Sequence, residues 1–405
     1  MAESDRCLKG VRVVDLSQFE AGPSCTEVLA WLGADVVKVE TPLGGDPGRS
    51  TGAKPGEDGL WFALLNANKR SVTVNLKSQA GINIVKNMVK DAHVFIENFA
   101  PGTIERLGLG YEVLQKINPK LIYAQIKGFG TGSPYESFLA FDSIGQATGG
   151  SMSITGERGA PPVRPGPTVA DSGSGMLMAS SILGALYRQQ ATGVGARLEL
   201  AMQDAVMQYL RTAFSEHRNT GRAAQRAGAK SPSVVNVPSN IYPCIPGGPS
   251  DYVYVYASRK GPDQWHQLLK AMGRDELIGD PLYETPQARV KNESLVDSLI
   301  SDWTRRRDKY EAMRILGEAG VPVGALFDTM ELENDKSFEK RGIIQKIVHP
   351  MLGELKILAW PVRIDGRPPI VEAAPTLGQH TGEVLKQWLD MDLAEIEKLK
   401  QDGII

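Results

Sequence analysis

Short β-branched runs alternate with helix-like segments over the first 130 residues, and this alternation constrains the fold more than any other feature of the chain. Strands are predicted at residues 11–16, 35–40, 71–75, 94–97 and 121–126. Helices are predicted between them at residues 27–32 and 79–91, and from Ile104 onward. This order is typical of a parallel sheet with right-handed crossovers. We therefore predict an α/β fold with ligands beyond the carboxyl ends of its strands.

The pattern changes beyond the fifth strand. Helices are predicted at residues 171–190 and, as one amphipathic element, at 199–219. Residues 221–240 are rich in Gly, Ala, Arg, Pro and Ser, which indicates a linker. A strand at 252–257 and helices at 264–272, 292–305 and 309–319 follow. The sequence thus predicts a large domain at 1–220, a linker at 221–240, a small α+β domain at 241–325 and a C-terminal part at 326–405.

Composition excludes several classes of protein. The chain carries 45 basic and 47 acidic residues, so it has no excess positive charge for nucleic acid. Its three cysteines, Cys7, Cys25 and Cys244, match neither a metal site nor a disulfide framework, which favours a reducing compartment. The N-terminus lacks a secretion signal, and no run of about 18 apolar residues predicts a membrane span. We expect a cytoplasmic protein without a bound metal.

Asp171 is the leading candidate for a functional side chain. It lies in the segment Val-Ala-Asp-Ser-Gly-Ser-Gly, directly before the apolar run 176–187. An acidic residue here could simply cap a helix, because its side chain accepts an unsatisfied backbone N–H and suits the positive end of the helix. A nucleophilic carboxylate is the second interpretation. The segment alone does not distinguish a helix-capping role from a nucleophilic one.

Three polar loops border the predicted strands. The loop at 17–26 contains Gly22 but no G-x-G-x-x-G, so a dinucleotide fingerprint is absent. Residues 66–71 are basic and could form a surface turn or a phosphate patch. In the segment 97–102 and the helix after it, Asn98, Phe99 and Arg106 could hold a planar, charged ligand, or 97–102 could be an ordinary turn. No Ser-His-Asp arrangement and no G-x-S-x-G motif is legible.

Taken together, these segments resemble the class III coenzyme A transferases, the family of formyl-CoA transferase and carnitine CoA-transferase. The resemblance includes Leu-Gly-Ala-Asp-Val-Val-Lys-Val-Glu at 32–40, Glu-Asn-Phe-Ala-Pro-Gly at 97–102 and Val-Ala-Asp-Ser-Gly at 169–173. Further matching segments lie at residues 8–16, 21–25, 68–71 and 201–204, with weaker similarity at 281–283, 349–350 and 377–381. The segments occur in family order.

The resemblance implies a fold, an assembly and a reaction. The fold is a Rossmann-like large domain, completed by the C-terminal tail, with a smaller domain on long linkers. The assembly is an interlocked dimer, and a heteromer with a homologous subunit is the alternative. The reaction moves CoA from an acyl-CoA donor, such as succinyl-CoA, to an organic acid. It runs through an aspartyl anhydride and an aspartyl-CoA thioester on Asp171. CoA thioester is then a substrate, and no tightly bound cofactor is expected.

The resemblance also implies contacts for the substrate. Glu20 and Ala21 would flank the pantetheine arm or thioester, Lys127 and Met202 would lie near the CoA, and Lys38 would contact a phosphate. Phe19 and Phe141 are the candidate substrate contacts, and their side chains indicate a less polar pocket. The nucleotide end would be lined by Val74, Asn98, Phe99, Thr103 and Arg106.

Departures from formyl-CoA transferase bear on the substrate. That enzyme has Gln at the position of Glu20, Tyr at the position of Phe141, and four glycines where this chain has Val-Asn-Val-Pro at 235–238. Oxalate therefore becomes doubtful, and a larger dicarboxylate or an aromatic acid is the alternative. An acyl-CoA racemase is a competing hypothesis, but Phe141 stands where racemases carry a proton-transferring histidine. A non-catalytic CoA-binding subunit is the remaining one.

Overall fold

A computed structural model describes residues 6–54, 57–230, 236–257 and 263–405. The chain forms two compact units. The first unit comprises Met1–Ser151, Pro165–Tyr209 and Lys336–Ile405, and the second comprises Met152–Arg164 and Leu210–Asp335. The sequence-based division placed limits at 220 and 326, whereas the second unit runs from 210 to 335 and also includes residues 152–164. Part of the expected linker, 231–235, and with it Val235, lies outside the described residues.

The described residues contain eleven strands. In chain order they are β1 (Arg12–Asp15), β2 (Asp35–Glu40), β3 (Arg70–Thr73), β4 (Val94–Glu97), β5 (Ile122–Lys127), β6 (Ala196–Ala201), β7 (Ser239–Pro243), β8 (Tyr252–Tyr256), β9 (Val323–Ala325), β10 (Ile344–His349) and β11 (Gly353–Leu358).

Helices occupy most of the connections. They are α1 (Ala21–Trp31), α2 (Leu60–Ala63), α3 (Gln79–Lys90), α4 (Thr103–Arg106), α5 (Tyr111–Ile117), α6 (Asp142–Thr148), α7 (Ser151–Ile154), α8 (Asp171–Thr192), α9 (Met202–Tyr209), α10 (Phe214–Thr220), α11 (Asp263–Ala271), α12 (Pro286–Lys291), α13 (Glu293–Thr304), α14 (Lys309–Glu318), α15 (Thr329–Asn334), α16 (Lys336–Arg341), α17 (Thr381–Leu389) and α18 (Leu393–Gln401). No helix in the described part of the chain is long and apolar enough to cross a membrane.

The first unit is built on a six-stranded sheet of order β3-β2-β1-β4-β5-β6. All five pairings are parallel. Alternating side chains of β1 face opposite sides, so Val13 packs with α1 and α8 while Val14 packs with α3 and α17. Both faces of the sheet are therefore buried beneath helices. The predicted parallel α/β sheet is confirmed.

One sequence-based prediction that begins in this unit is wrong. The single helix expected at 199–219 is instead the end of β6, then α9 and α10. The run Ala-Arg-Leu-Glu-Leu-Ala at 196–201 consists of good helix formers, but it pairs along its whole length with β5. Leu198 and Leu200 lie against the core beside β5. Pairing with a distant strand therefore overrides local helix propensity.

The second unit contains the antiparallel sheet β7-β8-β9. Helices α11, α13 and α14 contribute Trp265, Ile300 and Leu316 to the core beneath this sheet. The predicted strand at 252–257 and helices at 264–272, 292–305 and 309–319 correspond to β8, α11, α13 and α14. The α+β composition expected for this part of the chain is thus present.

Candidate active site

A cavity of about 310 Å³ lies beyond the carboxyl ends of β1, β4 and β5 in the first unit. We call it the Asp171 cavity. It is lined by residues 18–21, 98–101, 126–128 and 138–141, with Asp171 and Met202. Of the residues expected in the site, it brings together Phe19, Glu20, Ala21, Asn98, Phe99, Lys127, Phe141, Asp171 and Met202. It does not include Lys38, Val74, Thr103 or Arg106.

Asp171 is the first residue of α8, and Ala170 occupies the N-cap position. Asp171 is therefore not the N-cap that one interpretation of the sequence suggested. The glycines after it permit close packing: a Cβ on Gly173 would lie 2.8 Å from the ring of Tyr209, and one on Gly175 would lie 2.8 Å from the carbonyl oxygen of Ala21. The Ser-Gly-Ser-Gly run thus lets α1 and α9 approach the helix that carries Asp171, whose charge lies at the positive end of α8.

Asp142 holds the start of α8 in place. Its Oδ1 accepts hydrogen bonds from the backbone N–H groups of Ala170, at 3.1 Å, and Asp171, at 3.4 Å. Its Oδ2 accepts a bond of 2.7 Å from Gln146 on the same helix. Sequence reasoning considered Asp142 only as half of a Phe-Asp pair and missed this role. An acidic residue opening a short helix was the only signal available.

Glu20 connects the starts of α1 and α8. It is buried, and its Oε1 accepts hydrogen bonds from the Thr168 hydroxyl and, at 2.7 Å, from the Ser172 hydroxyl. Ser172 also lies 3.3 Å from the hydroxyl of Ser24 on α1. The glutamate therefore acts as an acceptor that orients the residue next to Asp171, while it also lines the cavity.

The loop between β1 and α1 is fixed from two sides. The Asn98 side chain bonds both backbone groups of Gln18: its Oδ1 accepts from the N–H at 2.7 Å and its Nδ2 donates to the carbonyl at 2.9 Å. Asp46 Oδ1 accepts from the Phe19 N–H at 3.1 Å. Phe19 has a φ of 60°, a left-handed conformation that costs a bulky residue about 1–3 kcal/mol. These bonds hold the strained loop against the cavity.

Lys127 lines the cavity at the end of β5. Its ammonium group donates to Glu97 Oε2 at 2.8 Å and to the carbonyl oxygen of Phe99 at 2.5 Å. Burial raises the pKa of Glu97, although Lys127 and Gln125 oppose that rise. Lys127 therefore anchors the loop after β4 and is already engaged within the protein.

Lys38, for which the resemblance implied a phosphate contact, is instead engaged within the protein. Its side chain is fully buried, with Nζ 2.8 Å from Asp46 Oδ2 and donating to the Ser17 carbonyl at 2.8 Å. Burial alone would lower the pKa of Lys38, but Asp46, Asp15 and Glu40 outweigh it and raise that pKa. The physical reason is position: the side chain points from the middle of a buried sheet into a carboxylate cluster.

The other expected nucleotide contacts also lie outside the cavity lining. Val74 is fully buried in the core on the α3 side of the sheet. Thr103 and Arg106 lie on α4, directly after the lining residues 98–101, where the Arg106 guanidinium donates to the Thr103 hydroxyl at 2.8 Å. Arg106 is exposed and could reach a ligand. Val74 is fully buried, so it cannot contact a ligand in this conformation.

The two cations of the basic segment at 66–71 are both paired within the protein. Lys69 is buried and donates to Asn66 Oδ1 at 2.8 Å and to the Pro23 carbonyl at 3.0 Å, with Asp15 Oδ2 at 3.4 Å. Arg70 forms an ion pair of 2.5 Å with Asp35. Both cations are thus engaged by acceptors of the first unit.

Helix α1 carries a buried glutamate, Glu27, that resists ionisation. Glu27 is buried, and its Oε1 accepts from the Ala67 N–H at 3.0 Å. Burial raises the pKa of Glu27 from 4.5 to about 8, despite Lys69 and this hydrogen bond. Burial also lowers the pKa of Lys69 to about 8. Between about pH 4.5 and 8, folded Glu27 keeps a proton that the unfolded chain has lost, so its contribution to stability falls as pH rises.

The Glu27→Gln variant is therefore expected to be more stable than the parent protein at pH 8, by about 1–3 kcal/mol, and to lose this advantage near pH 5. Glutamine keeps the acceptor for Ala67 but cannot ionise. Urea denaturation midpoints at both pH values measure the effect. Glu57→Gln, at an exposed position of the same unit, is the matched control. A Glu27→Gln difference that does not change with pH would contradict the assignment.

Comparisons with known proteins agree in pointing to one family. The model of the family described as CoA-transferase family III matches residues 8–381. The chain is 36% identical over 411 residues to the formyl-CoA:oxalate CoA-transferase of Streptomyces coelicolor, covering 99% of each chain. It is 35% identical over 418 residues to the protein of the same name from Rhodopseudomonas palustris, covering 99% of this chain and 97% of that one. A solved CAIB/BAIF family protein from Brucella suis matches with a TM-score of 0.83 and 29% identity, covering 95% and 100%.

Proposed function

The chain belongs to CoA-transferase family III, and we propose that it transfers CoA from an acyl-CoA donor to an organic acid through covalent intermediates on Asp171. One observation carries the residue assignment. The Asp171 carboxylate opens a long helix at the carboxyl edge of the parallel sheet and lines a cavity of about 310 Å³. Its backbone is held there by Asp142, and the residue beside it by Glu20.

The proposed reaction conserves the thioester throughout. Asp171 attacks the acyl-CoA carbonyl, which gives a mixed anhydride and CoA thiolate. The thiolate attacks the aspartyl carbonyl, releases the first acid as a carboxylate and leaves an aspartyl-CoA thioester. The acceptor carboxylate then expels the thiolate to form a second anhydride. Thiolate attack on the acceptor carbonyl yields the new acyl-CoA and restores Asp171.

Each tetrahedral step develops an oxyanion that needs hydrogen-bond donors, typically worth about 3–4 kcal/mol apiece. Ala21 lines the cavity at the first turn of α1. The N–H groups of a first helical turn have no intrahelical acceptors, so they are donors of the required kind. Lys127 is assigned a positioning role instead, because its ammonium holds the loop after β4.

The donor and acceptor remain proposals. Succinyl-CoA is the donor expected from the resemblance, and formyl-CoA with oxalate is the pair that the names of two relatives suggest. For the assembly we propose an interlocked homodimer, or a heteromer with a homologous subunit. Acyl-CoA racemisation finds little support in the site, because Phe141 has no titratable group and Asp142 is occupied with backbone N–H groups.

Covalent trapping tests the proposal directly. The protein is incubated with succinyl-CoA, formyl-CoA and other acyl-CoA thioesters, hydroxylamine is added, and modified peptides are mapped by mass spectrometry. A hydroxamate on Asp171 is the expected result. A protein that binds CoA but yields no adduct with any donor would instead be a non-catalytic CoA-binding subunit.

Replacing Asp142 with Asn is expected to lower kcat about 10- to 100-fold while changing the KM for acyl-CoA by less than about threefold. The amide keeps one acceptor oxygen but loses the charge that orients the Ala170 and Asp171 N–H groups, and small displacements of a nucleophile are costly. Steady-state kinetics measure both constants. Asp204→Asn, at an exposed position on α9, is the control. An unchanged kcat in Asp142→Asn would remove the positioning role.

A further inference from the structure

The Asp171 cavity is lined by both carboxylates and apolar side chains. Two carboxylates, Asp171 and Glu20, are accompanied by a group of apolar side chains. We call this group the apolar rim. It consists of Phe19, Phe138, Leu139 and Phe141. All four are exposed, so each leaves apolar surface uncovered. Such a surface in a concave site is where binding of an apolar group removes water.

Two rings of the apolar rim form a fixed pair. Phe19 and Phe141 lie edge to face, with ring centroids 5.7 Å apart and an interplanar angle of 90°. Phe19 directly precedes Glu20, and Phe141 directly precedes Asp142. The pair is thus one residue, about 3.8 Å of backbone, from each of the two carboxylates that position the start of α8. An acyl group attached at Asp171 would enter a cavity that both rings also line.

The cavity is poor in partners for a second carboxylate. Among the described residues that line it, Lys127 is the sole lysine or arginine, and its ammonium already bonds Glu97 and Phe99. Carboxylate recognition in a desolvated site favours a cation, above all a bidentate arginine. The second carboxylate of a dicarboxylate would therefore find no unengaged lysine or arginine among the described lining residues.

We propose that the acid held in the Asp171 cavity is a monocarboxylic acid with an apolar remainder, aromatic or branched, and that Phe19 and Phe141 select it. This proposal rests on the CoA-transferase function proposed above. Thioesters of such an acid should therefore be better substrates than succinyl-CoA, formyl-CoA or oxalyl-CoA. The aryl or branched end contacts the ring pair while the carboxyl carbon reaches Asp171.

The test compares acyl-CoA thioesters that differ only in the acyl group. Phenylacetyl-CoA, isobutyryl-CoA, succinyl-CoA and formyl-CoA are each presented to the protein, and the rate of hydroxamate formation on Asp171 is measured. We expect the second-order rate constant of trapping for phenylacetyl-CoA to exceed that for succinyl-CoA by at least about tenfold. In Phe141→Ala the ratio falls by at least about tenfold, because the ring that covers the aryl group is removed.

Two further variants separate recognition from folding. Phe141→Leu keeps an apolar wall and is expected to retain most of the preference. Tyr187→Ala removes an exposed aromatic ring from the outer part of α8 and should leave the ratio unchanged. Equal or faster trapping of succinyl-CoA or formyl-CoA, or an unaltered ratio in Phe141→Ala, overturns the acid preference while the transferase function stands. If no acyl-CoA forms an adduct, the transferase proposal fails and the preference fails with it.

Discussion

Asp171→Asn should abolish CoA transfer, with a loss in kcat of at least about 10⁴-fold. The amide has nearly the same shape as the carboxylate, but it is not a nucleophile toward a thioester, so neither anhydride can form. The start of α8 should be preserved, because Asp142 bonds the backbone N–H of this residue, which the substitution keeps. CoA affinity, measured by calorimetry, should change by less than about threefold. Transfer is followed by liquid chromatography of the two acyl-CoA species.

Asp91→Asn, an exposed substitution in the same unit that makes the same change of charge, is the control. It should behave as the parent protein in both assays. Residual transfer above about 1% in Asp171→Asn, with no reversion to aspartate detectable by mass spectrometry, would assign the covalent step to another residue. A large loss of CoA affinity would instead mean that Asp171 acts in binding.

Lys38→Met is expected to destabilise the first unit by about 3–5 kcal/mol, because it leaves the buried Asp46 carboxylate and the Ser17 carbonyl without their cation. A phosphate-binding lysine would behave differently: its loss would weaken CoA binding and leave stability nearly unchanged. Guanidinium denaturation measures stability, and calorimetry on the folded protein measures CoA affinity. Lys77→Met, at an exposed position, is the control.

A double variant keeps this test decisive if Lys38→Met folds poorly. Asp46→Asn removes the buried charge that the missing ammonium would leave unpaired. Lys38→Met with Asp46→Asn should therefore recover at least about 1 kcal/mol relative to the Lys38→Met single variant. No recovery in the double variant would contradict a buried ion pair at this position.

The strands of the first unit, apart from β6, were predictable because the sequence patterns that indicate them are local. Asp35–Glu40 and Val94–Glu97 are β-rich runs bordered by turn residues, and the structure places strands at those limits. Strand β6 escaped prediction since Leu198 and Glu199 favour a helix on local grounds. Its partner β5 lies about 70 residues earlier in the chain, and no short window of sequence contains both.

In the candidate site, too, some features were predictable from the sequence and others were not. Loops that follow predicted strands were expected to share one edge, and residues 18–21, 98–101 and 126–128 do line one cavity there. The roles of individual charges were not predictable. The sequence offered a phosphate contact for Lys38 and a surface turn or phosphate patch for Lys69, yet both side chains are buried, in ion pairs with Asp46 and Asp15. Asp142, which carries no recognisable motif, bonds the backbone of Asp171.

The sequence by itself therefore determined the α/β alternation, the edge of the sheet that carries the site, and Asp171 as the side chain to test. Each follows from patterns within a few residues, or from segments whose order along the chain matches one family. The tertiary structure alone decided which cations are buried, that β6 is a strand, and that Glu20 and Asp142 position the start of α8. The last two depend on contacts between residues 28 to 152 positions apart, whose free energies exist only once the chain has folded.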